Sequence, residues 1–214
     1  MNARLTRPRL LLFDFDGVLV DYSREQRCQY LARAIGSDPA SVQRALFKGG
    51  LENRSDRGEL ELDDYLDALR SQYGLQVPRE AFIEARRVAT RPRAEVVALC
   101  ERLRHQAALA ILTNNGRWLG QHFGRIAAPL AALFASRILC SAELGLTKPD
   151  PQAFLTCLQH LGFQPGSTLL IDDNADNVAS ALTVGLDAVL FEDVATLRQD
   201  LAERGFDLES AHAP

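Results

Sequence analysis

Leu10-Leu11-Leu12-Phe13-Asp14-Phe15-Asp16-Gly17 constrains the fold of this chain more than any other stretch. A short apolar run with no polar alternation reads as a strand buried on both faces, which is the habit of parallel sheets. It ends in two aspartates at i and i+2 and then a glycine. Open α/β sheets bind their ligands at the carboxyl ends of the strands, where these two carboxylates fall. Close carboxylates repel unless a proton or a cation neutralises them. A Mg²⁺ site suits the pair, with one carboxylate placed to attack phosphorus and the other to handle a proton.

The same grammar recurs downstream. Ala108-Leu109-Ala110-Ile111-Leu112 runs into Thr113-Asn114-Asn115-Gly116, and Thr168-Leu169-Leu170-Ile171 runs into Asp172-Asp173-Asn174. Further strands are expected at Ser136 to Leu139 and Asp187 to Leu190. Helices are expected at Ala94 to Arg104, Asp150 to Leu161 and Ala175 to Val184, the last stopped by Gly185. Strands alternating with helices imply an α/β fold built on a doubly wound parallel sheet. Residues 21–92 break the alternation. They read as helices at Arg24 to Ile35, Pro39 to Phe47, Leu62 to Tyr73 and Pro78 to Arg87, with no strand. The expected organisation is a core of residues 1–20 and 93–214, with a helical insert at 21–92 placed after the first strand. Such an insert hangs over the edge that carries the aspartates.

Of the 24 basic residues only Lys48 and Lys148 are lysine. Lys148 lies in the loop Gly145-Leu146-Thr147-Lys148-Pro149-Asp150-Pro151, just before a helix. Taken singly, each polar cluster has a plain structural reading. Asp14-x-Asp16-Gly17 makes a turn, Thr113 to Gly116 a turn or cap, Lys148 a solvated loop residue, and Asp172-Asp173-Asn174 a helix cap. Four such clusters in order, each after a strand or before a helix, are not explained that way.

The set Asp-x-Asp-Gly, Thr, Lys and paired acids resembles the haloacid dehalogenase-like (HAD) hydrolases, and the order holds across the whole chain. The insert is similar to the C1-type cap of subfamily IA. Leu112-Thr113-Asn114-Asn115, Lys148-Pro149-Asp150-Pro151 and Ile171 to Asn177 resemble the sugar-phosphate phosphatases of that superfamily, close to α-D-glucose-1-phosphate phosphatase and the N-terminal phosphatase domain of soluble epoxide hydrolases. The resemblance implies a Rossmann-like core and a Mg²⁺-dependent phosphatase of small phosphorylated metabolites. It implies Asp14 as nucleophile and metal ligand, and Asp16 as acid and base with its backbone carbonyl on the metal. Thr113, Asn114 and Asn115 would hold phosphate, and Lys148 would sit between Asp14 and the phosphate. Asp173 is the preferred direct metal ligand of the last motif, with Asp172 joining it or orienting a bound water. A phosphomutase, a 2-haloacid dehalogenase and a non-catalytic phosphate-binding module are the other readings. A dehalogenase has no need of Asp16 or of the acid pair.

Composition adds exclusions. Net charge is -4, which disfavours a nucleic-acid partner. Cys28, Cys100, Cys140 and Cys157 make no C-x-x-C pair, so zinc is not expected and reduced thiols are. His105, His122, His160 and His212 match no ligand spacing. Trp118 lines a pocket or packs in the core. Glu52, Arg57 and Glu59 are expected on a solvated face of the insert. The basic start, Met1 to Arg9, precedes an apolar run that Asp14 cuts short of the roughly 7 to 15 residues of a secretory core. No run approaches the ~18 apolar residues of a membrane span. The expectation is a soluble cytoplasmic protein, monomeric or homodimeric.

Overall fold

The computed structural model describes residues 7–208, so Met1–Thr6 of the basic start, His212 and the last residues of the expected core lie outside the described residues. Five parallel strands form the main sheet: β1 (Leu10–Phe13), β4 (Ala108–Thr113), β5 (Ile138–Cys140), β6 (Thr168–Asp172) and β7 (Asp187–Leu190). Their order is β5-β4-β1-β6-β7. The apolar run that opens the chain is therefore the central strand, and all four of its residues are buried.

Alternation along the strands divides the core. Leu11, Phe13, Leu109, Ile111, Leu169 and Ile171 face one side. There they meet α6 (Ala94–Leu103), α9 (Ala128–Phe134) and α13 (Val194–Glu203). Leu10, Leu12, Ala110, Leu112 and Leu170 face the other side, against α11 (Pro151–Leu161) and α12 (Ala175–Thr183). Helices on both faces explain why these strands carry no polar alternation.

Residues between the first two motifs form α1 (Arg24–Ile35), α2 (Pro39–Gln43), α3 (Leu51–Asp56), α4 (Leu62–Tyr73) and α5 (Arg79–Val88). Three details differ from the sequence reading. The insert is entered and left through a two-stranded antiparallel ribbon, β2 (Val20–Tyr22) and β3 (Thr90–Pro92), where no strand was expected. Three residues are too few to show a period, and Pro92 is tolerated because it sits at the end of an edge strand. The expected helix from Pro39 to Phe47 changes at Arg44 into a π-helical stretch, Arg44–Lys48. The short helix α3 and the last helix α13 are additions.

The ribbon places the helices above the carboxyl edge of the main sheet. The larger hydrophobic cluster runs unbroken from β1 through Phe15 and Val18 into Leu31, Leu69 and Phe82 of the insert. Beyond β4 the chain folds into α7 (Arg117–Gln121), α8 (Phe123–Ile126) and α9, and beyond β5 into α10 (Ser141–Leu144). Among the described residues, no helix is long and apolar enough to cross a membrane.

Candidate active site

Strand register gathers the motifs. Phe13 pairs with Ile111 on one side and Ile171 on the other. The residues just beyond, Asp14, Thr113 with Asn114, and Asp172, therefore emerge together at one edge. Asp14 is half-buried, and its Oδ1 accepts from the Phe15 backbone N–H at 2.6 Å. Gly17 turns the chain at φ 87°, and a Cβ there would overlap the Asp173 carboxylate. The glycine after the first aspartate pair thus leaves room for the last one.

Carboxylate oxygens of Asp14, Asp172 and Asp173 lie within 4.8 Å of one another. Asp172 is fully buried and heavily bonded. It accepts from Lys148 Nζ at 2.6 Å, from Asn177 Nδ2 at 2.9 and 3.1 Å, and from the Asn174 backbone N–H at 2.9 Å. Asp173 is exposed. Lys148 Nζ also stands 3.1 Å from Asp14 Oδ1, so one ammonium bridges the first and last motifs. The loop that carries it is held by Asn114, whose Nδ2 donates to the Lys148 carbonyl at 2.8 Å while the Lys148 N–H donates to Asn114 Oδ1 at 2.9 Å.

Charge at this edge is unbalanced. Burial, with Asp172 and Asp16 adding to it, pushes the Asp14 carboxyl up to about 7 against the opposing pull of Lys148. Burial and then Asp172 raise Asp173. Burial disfavours the Lys148 ammonium, but Asp14 and Asp172 outweigh it and the pKa rises. Among the described residues, three carboxylates thus gather round one ammonium, with Arg93 easing the charge on Asp173 as well. A second cation relieves the repulsion, and an all-oxygen donor set suits a hard ion such as Mg²⁺ rather than zinc.

Asp16 points away from this trio. Both of its oxygens accept from Arg86 Nη2, at 2.6 and 2.8 Å, and Oδ2 lies 3.3 Å from Asn115 Nδ2. Asn115 Nδ2 also donates to Thr113 Oγ1 at 2.8 Å. Three of the predicted residues, Asp16, Thr113 and Asn115, therefore form one hydrogen-bonded chain beside the carboxylate trio. In this arrangement the Asn115 amide is a bridge between Asp16 and Thr113, and the Asn114 side chain is a clamp on the Lys148 loop.

Over the edge sits a second polar group contributed mostly by the insert. Arg27, fully buried, donates from Nη1 to Glu52 Oε1 at 2.8 Å and to Tyr22 OH at 3.1 Å. Tyr65 OH donates to Glu52 Oε2 at 2.7 Å. Glu52 is thus tied into the interior of the insert rather than facing solvent, while Arg57 and Glu59 are exposed as expected. Trp118 is 2% exposed and packs edge-on against Phe82 at 5.0 Å, between core and insert. Asp56 is pushed up to about 8 by burial, with Glu52 adding to it and Arg27 and Arg86 opposing. Ser141 Oγ donates to the Asp56 carbonyl at 2.6 Å, and Arg117 Nη1 to Glu61 Oε1 at 2.7 Å, so the insert is tied to the core around the site.

Arg86, Asn177 and Asp56 were not anticipated as site residues. Asn177 lies five residues beyond Asp172, on the first turn of α12, so its spacing was a usable signal. Arg86 and Asp56 stand among many other charged residues of the insert, and only tertiary packing distinguishes them.

Comparison with known proteins agrees with this fold. A model of the haloacid dehalogenase-like hydrolase family matches residues 8–185. D-ribitol-5-phosphate phosphatase of Bacteroides thetaiotaomicron is 25% identical over 201 residues, which cover 89% of this chain and 95% of that protein. Flavin mononucleotide hydrolase 1 of Arabidopsis thaliana is 35% identical over 75 residues, but the match spans only 35% of this chain and 31% of that protein. Among solved structures, a HAD family enzyme from Bacteroides thetaiotaomicron, in complex with magnesium and inorganic phosphate, superposes with a TM-score of 0.72 at 19% identity, covering 89% of this chain and 98% of that one.

Proposed function

Because the chain belongs to the haloacid dehalogenase-like hydrolases, we propose that it is a Mg²⁺-dependent phosphatase of small phosphomonoesters, sugar phosphates foremost, that works through an aspartyl-phosphate on Asp14. The observation that carries this reading is the Lys148 ammonium lying between Asp14 and Asp172, beside an oxygen trio completed by Asp173. A 2-haloacid dehalogenase has no use for that trio. The sugar-phosphate reading draws support from the ribitol-phosphate phosphatase, which matches nearly end to end.

Asp14, Asp172 and Asp173 would hold Mg²⁺, with the backbone carbonyl of Asp16 as a further donor. The ion would supply positive charge that lets an anionic nucleophile meet an anionic phosphate. The chain's own groups do the rest. An Asp14 oxygen attacks phosphorus as the bond from phosphorus to the ester oxygen breaks, and Asp16 gives its proton to the departing oxygen. Asp16, now a carboxylate, takes a proton from water as the water oxygen attacks phosphorus and the aspartyl–phosphorus bond breaks, releasing inorganic phosphate. Lys148 and the Thr113 hydroxyl steady the charge on the phosphoryl oxygens. Lys148 is suited to the position between Asp14 and phosphate because its ammonium is compact. The helices of 21–92 act as a cap that keeps bulk water from the first step and selects small substrates over nucleic acids and proteins.

The test is phosphate release from a panel of sugar phosphates and p-nitrophenyl phosphate, by wild type and Asp14→Asn, each with Mg²⁺ and with EDTA. Release that needs both Asp14 and Mg²⁺ is the expected result. Transfer of phosphate within a hexose phosphate, with none released, would assign the protein as a mutase.

A further inference from the structure

We propose that Arg86 is a positioning residue: it reaches from the insert to align the carboxylate of Asp16, so that proton transfer in the active site depends on the insert being seated. The inference rests on the phosphatase reading, in which Asp16 handles the proton. Arg86 belongs to α5, the helix that leads into ribbon strand β3, and its carbonyl accepts from Thr90 Oγ1 at 2.8 Å. The side chain crosses the ribbon. Its guanidinium carbon lies 3.8 Å from the centre of the Tyr22 ring on β2 and 5.7 Å from that of Phe15. It ends on Asp16, where Nη2 serves both carboxylate oxygens. One side chain therefore touches the insert's last helix, the ribbon and the residue proposed as acid and base.

Stability alone is a poor reason for this pair. Arg86 is 1% exposed and its Nε has no hydrogen-bond partner among the described residues. Burying a guanidinium with an incomplete set of acceptors costs free energy that the ion pair repays only in part. What the contact does provide is orientation. With Arg86 on one side and Asn115 Nδ2 on the other, Asp16 is held from two directions. Arg86 touches neither the carboxylate trio nor Lys148 through any of its hydrogen bonds, so its effect on chemistry runs through Asp16. If the insert lifts, the guanidinium leaves with it and Asp16 keeps only the 3.3 Å contact from Asn115.

A double-mutant cycle tests this. Arg86→Gln and Arg86→Lys are each made in wild type and in Asp16→Asn, and kcat and KM are measured on p-nitrophenyl phosphate and on the best sugar phosphate. In wild type, Arg86→Gln is expected to lower kcat by about 10- to 100-fold, the scale of a misplaced catalytic group, and to leave KM within about threefold. Arg86→Lys, which keeps a cation in reach, recovers part of the loss. In Asp16→Asn, both substitutions change the residual kcat by less than about twofold. Equal losses in the two backgrounds, or a loss expressed mainly in KM, would overturn the positioning role. Should Arg86→Gln fail to fold, the Arg86→Lys pair alone closes the cycle. A wild-type protein that hydrolyses no phosphate ester overturns the phosphatase reading and this inference together. Turnover with additive losses overturns only the inference.

Discussion

Asp14 sits where burial and two other carboxylates all oppose its charge, and among the described residues Lys148 is the ammonium that answers them. That makes Lys148 hard to replace. Lys148→Arg must fit a broad fork where a compact, buried ammonium now touches two carboxylates, and kcat is expected to fall at least about 100-fold, within the range for loss of an electrostatic donor. Steady-state kinetics with a melting curve separates lost chemistry from lost folding. Asp56 yields a prediction about stability instead. Its folded pKa of about 8 lies above the ordinary carboxylate value of 3.8. Between those values the folded protein binds the extra proton, so stability falls as pH rises through this window. Asp56→Asn keeps the shape of the protonated acid and removes the titration. Chemical denaturation at pH 5 to 9 should show wild type losing stability with rising pH relative to Asp56→Asn. Parallel curves would contradict this placement of Asp56.

At the scale of elements, strand ends do the assembling, and strand ends were what the sequence displayed. The helices Arg24–Ile35 and Leu62–Tyr73 and the strand Asp187–Leu190 begin and end where the pattern placed them. Apolar runs followed by polar clusters located β1, β4 and β6 for the same reason. A parallel strand buried on both faces must be apolar throughout, and it meets water only where it stops. Nothing local marked the ribbon, because Val20-Asp21-Tyr22 and Thr90-Arg91-Pro92 become strands only by pairing with each other. Partners such as Arg86 depend on how the insert packs, which no spacing encodes. The Lys148 loop shows how an element can be over-determined. Asn114 clamps its backbone, and Asp150 caps the following helix by accepting from the Gln152 N–H at 2.9 Å. Asp150→Ala is expected to cost about 1 kcal/mol of stability, as for other lost caps, with kcat nearly unchanged because the clamp survives. Asn114→Ala releases the loop itself and is expected to lower kcat by about 10-fold or more. Thermal melts and steady-state kinetics on the two variants decide whether the two restraints act separately.

For the whole molecule, folding and the metal site are linked. The trio joins β1 to the end of β6, so a cation bound there favours the folded chain over the unfolded one. At a Mg²⁺ concentration 100 times the dissociation constant the gain is about 2.7 kcal/mol, or roughly 5 to 10 °C in Tm for a domain of this size. Asp173→Asn should lose most of that gain with little change in the metal-free Tm, because Asp173 is exposed. The insert shares the larger hydrophobic cluster with the sheet, so core and insert are expected to unfold together in one transition. Two separate transitions in calorimetry would show that the cap is an independent unit.

The central claim is that Asp14 carries the phosphoryl group. The most direct measurement feeds p-nitrophenyl phosphate and Mg²⁺ to Asp16→Asn, quenches with acid and locates added mass by peptide analysis. The nitrophenolate leaves without a proton, while attack by water still lacks its base, so the first step outruns the second. The account predicts one phosphoryl group on the peptide that contains Asp14, absent when Asp14→Asn is added to the variant. An unmodified Asp14 in a protein whose wild type hydrolyses the same ester would contradict it.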